Sequence, residues 1–342
     1  RESTWNAIKR CWEVSQMAQG LIMHLSNVKF ELFSSSAESS FCTIAPKLVF
    51  ELVLKLAPTK MRESALMKML KRISTGAAIG CALSMLSLNA LADSKLHEKY
   101  NALLDKHVVT INDGASTQVN YKGFKRDQSQ LNRYLDQLAA VPPRTFDSWD
   151  KNTQLAFLIN AYNAYTIDLI LTEYPELESI RDLGSFFSSP WDKEIAPLLG
   201  KSRSLDDIEH NLIRGDNKYS EPRIHFAVNC ASVGCPALRE EAYVGERLDA
   251  QLDLQTKRFL SDSSRNKIEN ETLYLSKIFS WYEGDFEKNW KDTQSVSEFI
   301  LLYKDAMALS SAQVDLIESG KADVDYLEYD WSLNDTKAAV KN

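Results

Sequence analysis

The clearest hydrophobic pattern in the chain is Trp149 to Tyr174, containing KNTQLAFLINAYNAYTIDLILTEY, where Leu155, Leu158, Ile159, Tyr162, Tyr165, Leu169 and Ile170 recur at helical spacing. Apolar side chains cover most of the circumference, which predicts a helix buried at the centre of the fold rather than one lying on its surface. Pro175 ends it. Asn160 and Asn163 fall inside this apolar element, and a buried amide must find partners. Either they bridge the backbone of a neighbouring loop, or Asn163 takes a direct part in a site.

Amphipathic spacing predicts further helices at Leu96–Leu104, Gln128–Ala140 and Gly245–Ser261, and short aromatic-rich ones at Ser280–Trp290 and Val296–Leu309. Three hairpins are expected. They are His107–Ile111 with Gln118–Tyr121 around Asp113-Gly114, Trp191–Leu205 turning at Gly200-Lys201, and Lys267–Ser276. Val324–Trp331 alternates like a strand that returns to the sheet. Between them lies Ser204–Arg239, read as a helix (Leu205–Arg214) capped by Ser204, a Gly-Asp-Asn turn, a buried strand (Arg223–Asn229) and a tight loop with Gly234 and Pro236. On that strand His225, Ala227 and Asn229 would share one face, with Phe226 and Val228 on the other. The expected fold is one α+β domain, mainly helical, with a small sheet that includes the His225 strand.

The first third reads differently. Residues 1–66 show no clear period and begin with Arg1. Met67–Ala92 carries Lys68, Lys71 and Arg72, an apolar run from Ile73 to Leu88, and Ala90-Leu91-Ala92, which together have the form of a secretory signal peptide. The expectation is therefore a start at Met61, Met67 or Met69, with 1–66 outside the native protein. Cleavage after Ala92 would leave a periplasmic or secreted domain over 93–342. A membrane anchor is the alternative, weakened by the serines, threonine and asparagine that interrupt the run. A lipoprotein at Cys81 would cut the run in half.

Composition narrows the partners. Residues 1–92 hold 11 of the 40 Lys/Arg and 6 of the 47 Asp/Glu, which leaves 29 basic against 41 acidic in 93–342, a formal charge of −12. That argues against nucleic acid or an anionic membrane surface, both of which need a basic footprint. A small-molecule or peptide-like substrate is the expected partner. The chain has no Gly-rich phosphate loop, no Walker or Rossmann fingerprint, no H-E-x-x-H and no G-x-S-x-G, so no nucleotide cofactor is expected.

Five segments carry a family resemblance: FLINAYNA at 157–164, SLDDIEH at 204–210, PRIHFA at 222–227, CASVGCP at 230–236 and YLEYDWSLN at 326–334. In this order they resemble the domain of unknown function 547 family, over roughly 146–334. The resemblance implies a protein of a widespread family, present in secreted bacterial proteins and in plants, with no settled activity. It also implies a cysteine-hydrolase-like fold and site made of Glu, His and Cys.

The residues themselves leave three readings open. A nucleophilic site would take Cys230 or Cys235 as thiol, His225 or His210 as base, Glu209 or Asp206 as orienting acid, and Asn163 as a polarising group. It would make the protein a thiol-dependent hydrolase or acyl transferase. Glu209 and His210, adjacent on a helix, diverge by about 100° and are not expected to serve one another. The second reading joins Cys230 to Cys235 in a disulfide that staples the loop of a non-enzymatic binding or structural protein. Zinc held by His225, Cys230, Cys235 and His210 is the third, disfavoured because H-x4-C-x4-C matches no common zinc spacing.

Overall fold

The computed structural model describes residues 93–185 and 188–336. The upstream segment 1–66 and the signal-like stretch 67–92 lie outside the described residues. The rest is α+β and mainly helical, as the pattern predicts, with three small sheets.

Its axis is the helix Lys151–Glu173, capped by the Asp150 carboxylate, which accepts from Asn152 N and Thr153 N. From Gln154 to Leu171 every residue except Asp168 is buried. This helix is apolar and long enough to cross a membrane, but 89% of its most apolar window is inside the protein, as in the core helix of a soluble fold. Both of its asparagines bridge loop backbone. Asn160 donates to Tyr243 O (2.8 Å) and accepts from Tyr243 N (2.9 Å). Asn163 donates to Ala227 O (2.9 Å) and accepts from Asn229 N (2.8 Å). Each amide thus replaces the missing strand partner of a buried segment.

The three hairpins form where turn chemistry allows. Strands β1 (Val108–Ile111) and β2 (Ser116–Val119) pair antiparallel, joined by a turn that ends at Gly114 with φ +99°. The second strand begins two residues earlier than expected, because Asn120 instead caps the helix Tyr121–Arg126 by accepting from Gly123 N. Strands β3 (Ala196–Leu198) and β4 (Lys201–Arg203) turn through Leu199 and Gly200, both left-handed. Strands β5 (Lys267–Glu269) and β6 (Thr272–Leu275) turn through Asn270 and Glu271, also left-handed. Such pairs match the twist of a two-residue hairpin. Strand β7 (Asp323–Tyr326) returns to lie parallel to β6, completing the largest sheet.

The strand expected over Val324–Trp331 ends at Tyr326, and the helix expected over Ser280–Trp290 is instead two short ones, Lys277–Trp281 and Glu283–Phe286. Two further expectations need correction. Arg223–Asn229 is not a strand and belongs to no sheet. Pro222–Phe226 is a 3₁₀ helix with Pro at its start, and the chain then runs irregularly through the cysteine loop. Pro222 to Asn229 are all buried, so their apolar character carries no phase that could separate strand from helix. The face-sharing of His225, Ala227 and Asn229 falls with the strand. The aromatic-rich helix from Val296 also stops at Leu302 rather than Leu309, and a helix not expected from the pattern, Ser311–Glu318, follows.

The helix after Ser204 forms, with the Ser204 hydroxyl accepting from Asp207 N. From Asp207 to Ile213 it widens to a π-helix, closed by Arg214 N donating to Glu209 O across five residues. Such wide turns recur at functional sites. Two apolar cores flank this region. One surrounds the central helix; the other is an aromatic cluster of Phe226, Phe259, Phe279, Phe286 and Phe299. Phe226 belongs to the second core, while its neighbours Ile224 and Ala227 belong to the first. The 222–229 segment is therefore the seam between them.

Candidate functional site

A cavity of about 220 Å³ opens at that seam. Tyr162 of the central helix lies on one side, and Ile278 and Tyr282 of the aromatic core lie on the other. The wide helix supplies Asp206, Glu209 and His210, the buried seam supplies His225, and the loop supplies Cys230 and Cys235. Six of the seven residues singled out from the sequence therefore line one cavity. Asn163 does not. It sits behind the wall and fixes the backbone on either side of Val228.

His225 is 2% exposed and stacks on Tyr282, with ring centroids 3.9 Å apart. Its Nε2 lies 2.8 Å from Asp285 Oδ2. Burial pushes the imidazole pKa down and outweighs the opposing pull of Asp285. Burial alone would raise Asp285, but donors from His225, Arg214 and Lys288 overcome it and hold that carboxyl far below the usual carboxylate range. The imidazole is thus neutral, with its proton on Nε2 facing an ionised carboxylate. Nδ1 is left as a bare acceptor, buried and without a hydrogen-bond partner. The orienting acid of His225 is Asp285, not Glu209 or Asp206.

Glu209 is 4% exposed, and its Oε1 likewise has no hydrogen-bond partner. The phenols of Tyr162 and Tyr282 face it. Burial, and then the Glu209 charge, push both far above the ordinary tyrosine range. His210 is more open, its side chain 43% exposed. Arg214 Nη1 donates to His210 Nδ1 at 2.6 Å, so the ring proton is on Nε2, 3.8 Å from Asp206 Oδ1. Glu209 and His210 do not bond to one another, as their adjacency on a helix leads one to expect.

Burial, and then a hydrogen bond shared with Asp192, raise the Asp206 pKa to about 6, against the opposing pull of His210. A raised folded pKa means that ionised Asp206 opposes folding. The penalty is absent below about pH 4, grows through pH 6 and is constant above it. Asp206→Asn should therefore raise stability at pH 7.5 by about 1 kcal/mol, after allowance for solvent screening. It should leave stability at pH 4 unchanged. Thermal melts at the two pH values check this, and equal effects at both would contradict it.

Cys230 and Cys235 are joined in a disulfide. Tyr329 covers the bridge, donating to Cys235 Sγ at 3.1 Å and accepting from Ser232 Oγ at 3.0 Å. The loop is held along its length. Arg265 donates to Cys235 O and Val233 O, Asn229 donates to Pro236 O, and Gly234 N donates to Asp330 O. A Cβ on Gly234 would meet the Tyr329 ring at 2.9 Å, so glycine is what lets the tyrosine lie on the bridge. No group of His, Cys, Asp and Glu among the described residues is arranged to hold a metal ion, and zinc is not supported.

Aromatic rings line the cavity. Trp281 stacks near Tyr329 (4.9 Å) and Trp331 (5.7 Å), and Trp331 contacts Trp191 (5.7 Å). The aromatic-rich stretch Phe279–Trp290 divides between core and cavity. Phe279 and Phe286 are buried, whereas Trp281 is 46% exposed and lines the cavity with Tyr282. Sequence reasoning missed Asp285, Arg214, Trp191 and Tyr329. For Tyr329 and Trp331 a signal exists in the YLEYDWSLN segment, which carries part of the family resemblance and overlaps the expected strand Val324–Trp331, but neither reading names these two rings as site residues.

Comparison with curated proteins and with solved structures found no match. The one family found spans the central helix, the π-helix, the cysteine loop and the helix Leu248–Leu260, and it leaves out Asp285 and Tyr329: residues 146–260 match the family described as "Protein of unknown function, DUF547".

Proposed function

We propose that this domain binds a small molecule in the 206–235 pocket, and that its resting form carries no free thiol there. The observation that carries this reading is the Cys230–Cys235 bridge on the cavity wall. A sulfur engaged in a disulfide is neither nucleophile nor metal ligand. The bridge stiffens one wall, the aromatic rings supply apolar contact, and a few buried polar groups give direction, the usual make-up of a ligand site. A periplasmic or extracellular location goes with this reading, since such compartments keep bridges oxidised. The signal-like stretch 67–92 supports it.

A second reading has its own observation. His225, oriented by Asp285, shares the cavity with both sulfurs. Reduction by an external dithiol would release a cysteine into a cavity that also holds a neutral imidazole, the groups a thiol hydrolase or acyl transferase uses. Turnover of p-nitrophenyl and anilide esters and amides, measured before and after reduction with dithiothreitol, separates the two. The binding reading expects no reduction-dependent turnover above that of a Cys230→Ser, Cys235→Ser double variant. Turnover that appears on reduction and disappears in the double variant would replace it with the enzyme reading.

A further inference from the structure

We infer that the ligand of this pocket bears a primary ammonium group, which donates to Glu209 and His225 while its apolar part lies against the tryptophans. This rests on the binding reading above and names its ligand class.

The argument starts from two buried acceptor atoms, one of them the Glu209 carboxylate oxygen that the Tyr162 and Tyr282 phenols leave unpaired. Glu209 Oε1 and His225 Nδ1 both belong to residues lining the cavity, both are closed off from solvent, and neither has a partner. A buried acceptor left unpaired is costly, and two of them beside one cavity call for a ligand that brings donors. The tautomer decides the polarity of the second. Nε2–H is committed to Asp285, so Nδ1 can only accept. A carboxylate or phosphate ligand would set its charge against Glu209 and meet only a lone pair at His225 Nδ1. An ammonium group carries three N–H donors and a positive charge, and satisfies both atoms.

The surroundings favour the same charge. Asp206, itself hydrogen-bonded to Asp192, adds a second acid to the wall. The nearest guanidinium is already engaged: Arg214 binds Asp285 and His210. The aromatic walls attract cations through their ring faces. Tyr282 and Trp331 already hold the guanidinium groups of Arg214 (4.8 Å) and Arg181 (5.4 Å) on one side. Among the described residues no group of His, Cys, Asp and Glu is arranged to hold a metal ion, and the aromatic rings on the wall suit a cation with an apolar part.

Three probes of one shape and different charge test this on the oxidised full chain by calorimetry: benzylammonium, benzyl alcohol and benzoate. Benzylammonium should bind saturably and at least tenfold tighter than benzyl alcohol, and benzoate should not bind. Glu209→Gln should weaken benzylammonium at least tenfold and leave benzyl alcohol within twofold. The comparison of probes on the unaltered chain stands even if that variant fails to fold. Benzyl alcohol or benzoate binding as tightly as benzylammonium would overturn the ammonium assignment and leave a ligand pocket. Binding of none of the three would overturn both the assignment and the binding reading.

Discussion

Asn163→Ala is expected to lower the unfolding free energy by about 3 kcal/mol, the largest effect foreseen for a single polar residue in this domain. The amide makes two hydrogen bonds to the backbone of one segment, to Ala227 O and from Asn229 N. That segment is buried and has no strand neighbour to satisfy it. Alanine would orphan one carbonyl and one N–H together, each worth about 1–3 kcal/mol. It would also release the backbone on both sides of Val228, which lines the cavity two residues before Cys230. Denaturant midpoints of the two proteins, with slopes compared, give the value. An unchanged midpoint would mean that the amide does not hold this wall.

Reducing the Cys230–Cys235 bridge should cost about 2 kcal/mol without unfolding the domain. The two cysteines are five positions apart, and closing so short a loop removes only that much chain entropy from the unfolded state. The loop retains other anchors once the bridge opens, chiefly Arg265 on Cys235 O and Val233 O, and Asn229 on Pro236 O. A Cys230→Ser, Cys235→Ser variant should therefore melt lower than the oxidised protein and match the reduced one. Identical melting of oxidised and reduced protein would show that the bridge contributes nothing to this wall. Unfolding on reduction would show that the hydrogen bonds do not hold the loop.

The parts of this architecture that local chemistry decides were legible in the chain. The central helix announces itself by an apolar circumference, and the hairpins by the residues that accept left-handed backbone at Gly114, Gly200 and Asn270. The two asparagines were legible as buried amides in need of partners, although nothing in the pattern named Tyr243, Ala227 or Asn229. The seam was not legible. Where every residue from Pro222 to Asn229 is buried, alternation and helical spacing look alike, and only the surrounding cores decide the conformation. The site was half legible for a related reason. Glu209, His210, His225 and both cysteines come from one stretch of sequence. Asp285 reaches His225 across 60 residues, and Tyr329 reaches the disulfide across nearly 100. Such partners are set by tertiary packing, which no local period encodes. The wide turn of the π-helix, which coincides with Glu209 and His210 both reaching the cavity, is likewise invisible in a hydrophobic pattern.

The central claim is that the pocket wall holds a bridge rather than a reactive thiol, and peptide-mapped alkylation tests it most directly. Iodoacetamide applied to the purified chain at neutral pH, without reductant, should modify neither Cys230 nor Cys235. After reduction it should modify both. Cys230 or Cys235 carrying the label before any reductant is added would contradict the account. If that labelling also persisted well below the free-thiol pKa of about 8.5 and moved to higher pH in His225→Ala, the site would be a thiolate–imidazole pair instead.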